Sequence, residues 1–208
     1  MTDKYFVCLE GGEGRVVEKK SEFIGELVPV HSEEEAAAFI ETVKKKYWDA
    51  RHHCYAYVLG DAVPQKKFSD DGEPSQTAGR PILDILENAG LHDVCCVVTR
   101  YFGGTLLGTG GLVRCYQGAA REAVNNSRIA QRIKGCSLSY MVDYDLYERI
   151  RRLSDTDGVW LMDTDFGEKV KITLATSPDN VDNLMGTIDD LSAGRAVLSA
   201  QEEREIIL

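Results

Sequence analysis

Residues 99–124 read TRYFGGTLLGTGGLVRCYQGAAREAV, with five glycines packed into residues 103–111. Ahead of them DVCCVVTRYF is β-rich and almost continuously apolar, which predicts a central strand. Behind them Leu112, Val113, Tyr116, Ala119, Ala120, Ala123 and Val124 fall on one face of a helix, which Asn125, Asn126 and Ser127 end. A strand feeding a helix through a glycine corner is the unit of a mixed α and β layer. The corner is no P-loop, since no Gly-Lys-Ser/Thr follows. Nor is it a dinucleotide fingerprint, since Val113 stands where that motif needs Gly or Ala. What survives is generic chemistry. Gly103, Gly104, Gly108, Gly110 and Gly111 permit left-handed or closely approached backbone, and a helix N-terminus offers N–H donors to an anion. Arg100 and Tyr101 sit at the strand end and Arg114 is expected in the first helical turn, with Gln117 and Arg121 on the same face. A solvated helix face over a glycine-tight core contact fits the same letters, and spacing leaves both readings open.

Upstream, two apolar runs at 5–9 and 23–30 flank GGEGR and VVEKKSE, predicting antiparallel strands joined by a turn. Ser32-x-x-Glu35 forms a capping box for a helix through EEEAAAFIETVKKKYW, acidic at its start and basic at its end. HHCYAYVLG alternates as a strand, with Cys54, Ala56 and Val58 on one face and His53, Tyr55 and Tyr57 on the other. A polar loop, KKFSDDGEPSQTAG, then leads into a helix with Thr77 as expected N-cap, Pro81 in the first turn and Gly90 just past its end. After a basic connector at 128–135, the chain reads strand 136–142, helix 144–154, strand 159–163, strand 169–176, helix 179–191 and strand 196–207. That βαββαβ order predicts a ferredoxin-like sandwich. The expected domains are 1–134 and 135–208, in an α+β fold.

The charge of −10 is uneven: residues 1–134 carry 17 Lys+Arg against 19 Asp+Glu, whereas 135–208 carry 7 against 15. An acidic chain argues against nonspecific nucleic-acid coating, though a basic patch on the first domain is compatible with it. No run approaches the roughly 20 apolar residues of a membrane span, and the opening MTDKYFVCLEGGEGR does not read as a leader, so a soluble, cytoplasmic protein is expected. Six cysteines without a C-x-x-C pair read as small buried hydrophobes, neither a disulfide framework nor a zinc site.

Asp70, Asp71 and Glu73 surround Gly72 as a hard-cation loop or acid/base pair would, but the EF-hand spacing is missing, and a turn built from Asp, Gly and Pro explains the same residues. His52-His53-Cys54 offers soft ligands on opposite strand faces, which favours a structural role. No nucleophile elbow is present.

Two segments, ARHHCYAYVLG…FSDDGEPSQTAGRPIL and VVTRYFGGTLLGTGGLVRCYQGA, together closely resemble the YigZ/IMPACT family, over most of residues 15–130, and SEFIGELVPV resembles that family's early strand. The resemblance implies a first domain similar to domain IV of elongation factor G and to ribosomal proteins, with a ribosomal-protein-like βαβ fold, and a ferredoxin-like second domain similar to domain V. It implies that eukaryotic relatives regulate translation by binding an activator of a starvation-responsive initiation-factor kinase, with an additional RWD domain for that contact; no such domain, and no such partner, is expected here. For relatives built like this chain it implies a non-enzymatic, translation-associated protein that contacts the ribosome, RNA or a translation-related protein, with no DNA specificity. Gln76 and Cys115 depart from the family pattern, which has glycine and alanine there. The expected binding set is Asp70, Asp71, Glu73, Thr77, Arg100, Tyr101, Gly103, Gly104, Gly108, Gly110, Gly111 and Arg114, with Arg100 or Arg114 braced by Asp71 or Glu73. No catalytic, metal or cofactor residue is assigned. The alternative is a metal- or phosphate-dependent hydrolase using Asp70, Asp71 and Glu73.

Overall fold

The structure, a computed structural model, describes residues 4–60 and 63–207. Residues 1–3, 61–62 and 208, which the leader reading and the two expected domains include, lie outside the described residues. The chain divides into two compact units, Tyr5–Gln131 and a second formed mainly by 132–208.

In the first unit the elements run β1 (Lys4–Glu10), β2 (Gly12–Glu18), β3 (Ser21–Pro29), α1 (Glu33–Lys46), β4 (His52–Leu59), β5 (Gln65–Ser69), α2 (Gly79–Asn88), β6 (Leu91–His92), β7 (Val94–Tyr101) and α3 (Gly108–Asn125). Strands β2-β3-β7-β4-β5 form an antiparallel sheet. β7 is its centre, as its unbroken apolar run requires: Val94 through Val98 are buried. Alternation then sorts the side chains. Phe23, Leu27, Cys54, Ala56, Cys96 and Val98 face α2 and α3, while Tyr57, Cys95 and Val97 face α1 with Ala36, Ile40 and Val43.

Three readings change. GGEGR is no turn, because residues 12–18 pair with β3 and the reversal falls at Lys19 and Lys20, whose φ values of 46° and 65° suit a two-residue hairpin turn. Gly14 and Gly25 are paired in that ladder. A Cβ on either would sit 2.4 and 2.6 Å from the backbone of Ala123 and Ala119, so glycine is what lets α3 lie against β2 and β3. The N-terminal run pairs not with β3 but with β6, in parallel. Residues 66–69, read as loop, belong to β5 (Gln65–Ser69), an exposed edge strand on β4.

α1 carries the expected box: Ser32 Oγ accepts from Glu35 N, while the Glu35 carboxylate accepts from His31 N, one residue earlier than the standard partner.

The second unit runs β8 (Arg128–Val142), α4 (Tyr144–Arg151) with a 3-10 turn at Arg152–Asp155, β9 (Val159–Phe166), β10 (Val170–Thr176), a 3-10 turn at Pro178–Asn180, α5 (Val181–Ser192) and β11 (Val197–Ile207). The strand order β11-β8-β10-β9, antiparallel throughout, is that of a ferredoxin-like sandwich. Leu138, Tyr140, Ile172 and Leu174 meet Leu146, Ile150, Leu184 and Ile188 in its core. The expected connector at 128–135 is the first half of β8, and the division between the units falls inside that strand.

Candidate functional site

The loop after β5 folds back on itself, and Asp70 is the reason. Its Oδ1 accepts the N–H groups of Ala78 and Gly79 at 3.0 and 2.8 Å, and its Oδ2 that of Gln76 at 2.7 Å. Asp70 therefore caps α2 from eight residues upstream. Thr77, the expected N-cap, instead donates its hydroxyl to Pro74 O at 2.6 Å and is buried. The N-cap position belongs to Ala78, which has no acceptor of its own, and the orphan donors of the first turn need an oxygen from elsewhere. Gly79 makes the return possible: a Cβ there would lie 2.6 Å from the Ser69 backbone.

Asp71 turns the chain at φ +42° and its Oδ2 accepts the backbone N–H of His53 at 2.7 Å. Its carbonyl accepts from His52 Nδ1 at 2.8 Å, and Tyr47 O accepts from His53 Nε2 at 3.1 Å, which fixes the proton-bearing nitrogen of each ring. The histidines thus serve opposite faces of β4. Gln76 is left-handed, at φ +61°. This is the position where the resemblance calls for glycine, and backbone conformation supplies the reason.

Glu73 and Arg100 meet, as expected for the brace. Arg100 Nη1 donates to Glu73 Oε1 at 2.6 Å, and their side chains are only 8% and 4% exposed. Tyr116 Oη donates to the same oxygen at 2.8 Å. Strand parity puts Arg100 there, since it lies opposite Phe23 and His52 and points with Cys96 and Val98 toward the helices. Its guanidinium lies between the rings of Phe23 and Phe102, 5.4 and 5.6 Å from their centroids. Arg100 Nε has no acceptor among the described residues. Burial holds the Tyr116 hydroxyl and the Cys54 thiol well above their usual pKa ranges, so both stay protonated; the thiol bonds to Asp70 O at 3.0 Å.

Tyr101, one residue on, reaches away from this network to Asp49 Oδ1 at 2.7 Å and packs edge-on against Tyr47; the Asp49 carboxylate, then burial, push it up to about 12. The glycines divide in two. Gly103 is a packed corner, where a Cβ would fall 2.0 Å from Lys20 C while its N–H bonds to Ser21 Oγ. Gly104 and Gly108, at φ +84° and +69°, face open space, and Gly110 meets only the tip of Arg114. A Cβ on Gly111 would meet Leu107 Cβ at 3.0 Å. α3 begins at Gly108 with Leu107 at the N-cap position, and among the described residues no side chain closes its end. Arg114 therefore lies in the second turn, not the first, and it is exposed and separate from the Glu73 brace.

Two depressions flank that helix end. One, of about 260 Å³, is lined by Arg51, His52, Arg100, Phe102 and Leu106. The other, of about 210 Å³, is lined by Val16, Glu18, Lys19, Leu107, Gly111, Arg114 and Cys115. Arg51, His52, Phe102, Leu106, Tyr116 and Lys19 were not in the expected set. Tyr116 was legible only as part of the apolar stripe of α3. His52 carried a signal, being in phase with Cys54 on the face of β4 that looks toward the helices.

Fold and site together define a two-domain α+β protein whose acidic loop is an internal brace beside an open helix N-terminus. The sequence profile of the Impact N-terminal domain matches residues 19–124, and that of a domain of unknown function (DUF1949) matches 141–195. IMPACT family member YvyE of Bacillus subtilis is 35% identical over 97% of this chain and 93% of its own length. IMPACT family member YigZ of Escherichia coli is 36% identical over 89% and 92%. A crystal structure described only as a hypothetical protein superposes with a TM-score of 0.61 at 32% identity, covering 98% of this chain and all of its own. The chain belongs to the YigZ/IMPACT family.

Proposed function

We propose that this protein is a non-enzymatic, cytoplasmic binding and regulatory protein of the translation apparatus, and that its contact surface is the open end of α3 with the cations beside it. The carrying observation is the contrast in how polar groups are used. Asp70, Asp71 and Glu73 are each engaged within the fold, whereas among the described residues no side chain caps the first turn of α3, and exposed Lys19, Arg51 and Arg114 line the depressions beside it. Uncommitted N–H donors with flanking cations suit an anionic partner. The family resemblance supplies the direction, toward the ribosome or its RNA and proteins. A hydrolase built on the acidic loop gains no support: its carboxylates bind backbone and Arg100, and among the described residues no group of three His, Cys, Asp or Glu side chains converges as a metal site. The domains expected from the sequence, 1–134 and 135–208, are retained as the functional division in this proposal.

Ribosome cosedimentation tests the reading. Wild type is expected to pellet with ribosomes at low salt and to be released steeply as salt rises, and the double variant Lys19→Ala/Arg114→Ala to pellet less. A protein that stays in the supernatant at both salts overturns it.

A further inference from the structure

We infer that the depression lined by Arg51, His52, Arg100, Phe102 and Leu106 seats one nucleotide of a single-stranded RNA, its base against Phe102 and Leu106 and its phosphate on Arg51. This rests on the reading above and specifies its partner. Large apolar side chains are normally withdrawn from water in such a corner, yet Phe102 is 51% and Leu106 83% exposed. Phe102 is also electronically prepared: the Arg100 guanidinium carbon lies over its ring, 5.6 Å from the centroid, while half of the side chain stays exposed. A base stacked outside would complete a ladder of guanidinium, phenyl and base. Arg100 lines the same depression with most of its side chain buried and an Nε that finds no acceptor among the described residues. Since Glu73 already compensates its charge and its Nε is buried, Arg100 contributes a surface, and Arg51, which makes no ion pair among the described residues, contributes the free positive charge.

An acidic peptide would use Arg51 but gain nothing from an aromatic platform backed by a cation. A free mononucleotide would find only one unpaired cation. The second depression, with Lys19 and Arg114, is lined by Leu107, the chain neighbour of Leu106 in the first, so phosphates further along one strand would meet further cations. Tandem weak contacts of this kind favour a chain over a monomer.

The test is fluorescence anisotropy with a labelled single-stranded RNA of about 12 nucleotides, within the usual reach of such sites. Full-length wild type is compared with Phe102→Ala, Leu106→Ala and Arg51→Ala at several salt concentrations. Phe102→Ala is expected to weaken binding roughly tenfold, and Leu106→Ala, whose side chain carries almost no folding role, to weaken it by a smaller factor. Arg51→Ala is expected to lower the salt slope by about one. AMP and UMP are expected to compete only at far higher concentration than RNA. RNA affinity unchanged in all three variants overturns the inference, as does displacement by polyglutamate or a mononucleotide as readily as by RNA. The same variants in ribosome cosedimentation separate the two claims. Ribosome binding without RNA binding sinks the nucleotide seat alone, and RNA binding dependent on Phe102 and Arg51 without ribosome binding sinks the ribosome reading alone.

Discussion

The loop from Asp70 to Thr77 and the glycine stretch at 103–111 are neighbours in space with opposite uses of polarity. The loop directs each of its carboxylates inward: Asp70 onto the first turn of α2, Asp71 onto the backbone of His53, Glu73 onto Arg100 and Tyr116. The glycine stretch packs at its two ends, Gly103 and Gly111, and between them leaves Gly104, Gly108 and Gly110 uncovered. Charged residues clustered near a cleft are therefore a poor guide to where a ligand sits. Groups that have found partners are structure, and groups held without partners are the candidates for recognition.

That comparison can be broken most sharply at Glu73. Glu73→Ala leaves the Arg100 guanidinium buried without its counter-charge, and a loss of about 3–5 kcal/mol is expected in denaturant unfolding. A loss under about 1 kcal/mol would mean that the brace is not structural. Gly103→Ala comes next. Its Cβ would overlap the Lys20 backbone, so destabilisation of about 2 kcal/mol is expected, against about 1 kcal/mol for Gly104→Ala, which meets open space and is penalised by its φ alone. Equal effects at the two positions would erase the division between packed and open glycines. Asp70→Ala removes the acceptor of three N–H groups and is expected to lower stability by about 1–2 kcal/mol, with Thr77→Ala costing less; the reverse order would restore Thr77 as the cap. Gln76→Gly should raise stability by about 1 kcal/mol or somewhat less, read as a higher Tm, because it relieves a left-handed non-glycine residue.

A smaller effect concerns pH. Burial raises the thiols of Cys54 and Cys95 above their ordinary value of 9.0, so the folded state favours the protonated form. Their contribution is complete below pH 9 and is lost as pH rises beyond it, when the unfolded chain ionises and the folded one does not. All six cysteines are free and buried. A thiolate-specific reagent at pH 8 should label the native protein slowly and all six thiols rapidly in guanidinium; rapid native labelling of Cys54 would show that the loop opens.

Much of the architecture was legible. The βαββαβ order of the second unit followed from periodicity, and its strands pair in the order that pattern implies. The faces of β4 and the central place of β7 followed from alternation and from an unbroken apolar run. What failed were positions whose role is set by a distant backbone. Gly14 looked like a turn residue because its close neighbour, Ala123 on α3, is over a hundred residues away. Thr77 looked like a cap because Asp70 returns to α2 only once the loop has closed.

The sequence alone determined the elements and their apolar faces, since caps, prolines and side-chain period act over a few residues and need no partner to be read. It also determined the family, through two long motifs. Only the tertiary structure decided which polar groups were consumed, because an ion pair such as Glu73 with Arg100 depends on strand register and loop closure. By the same closure it left the end of α3, with Arg51, Phe102 and Arg114 around it, open to water.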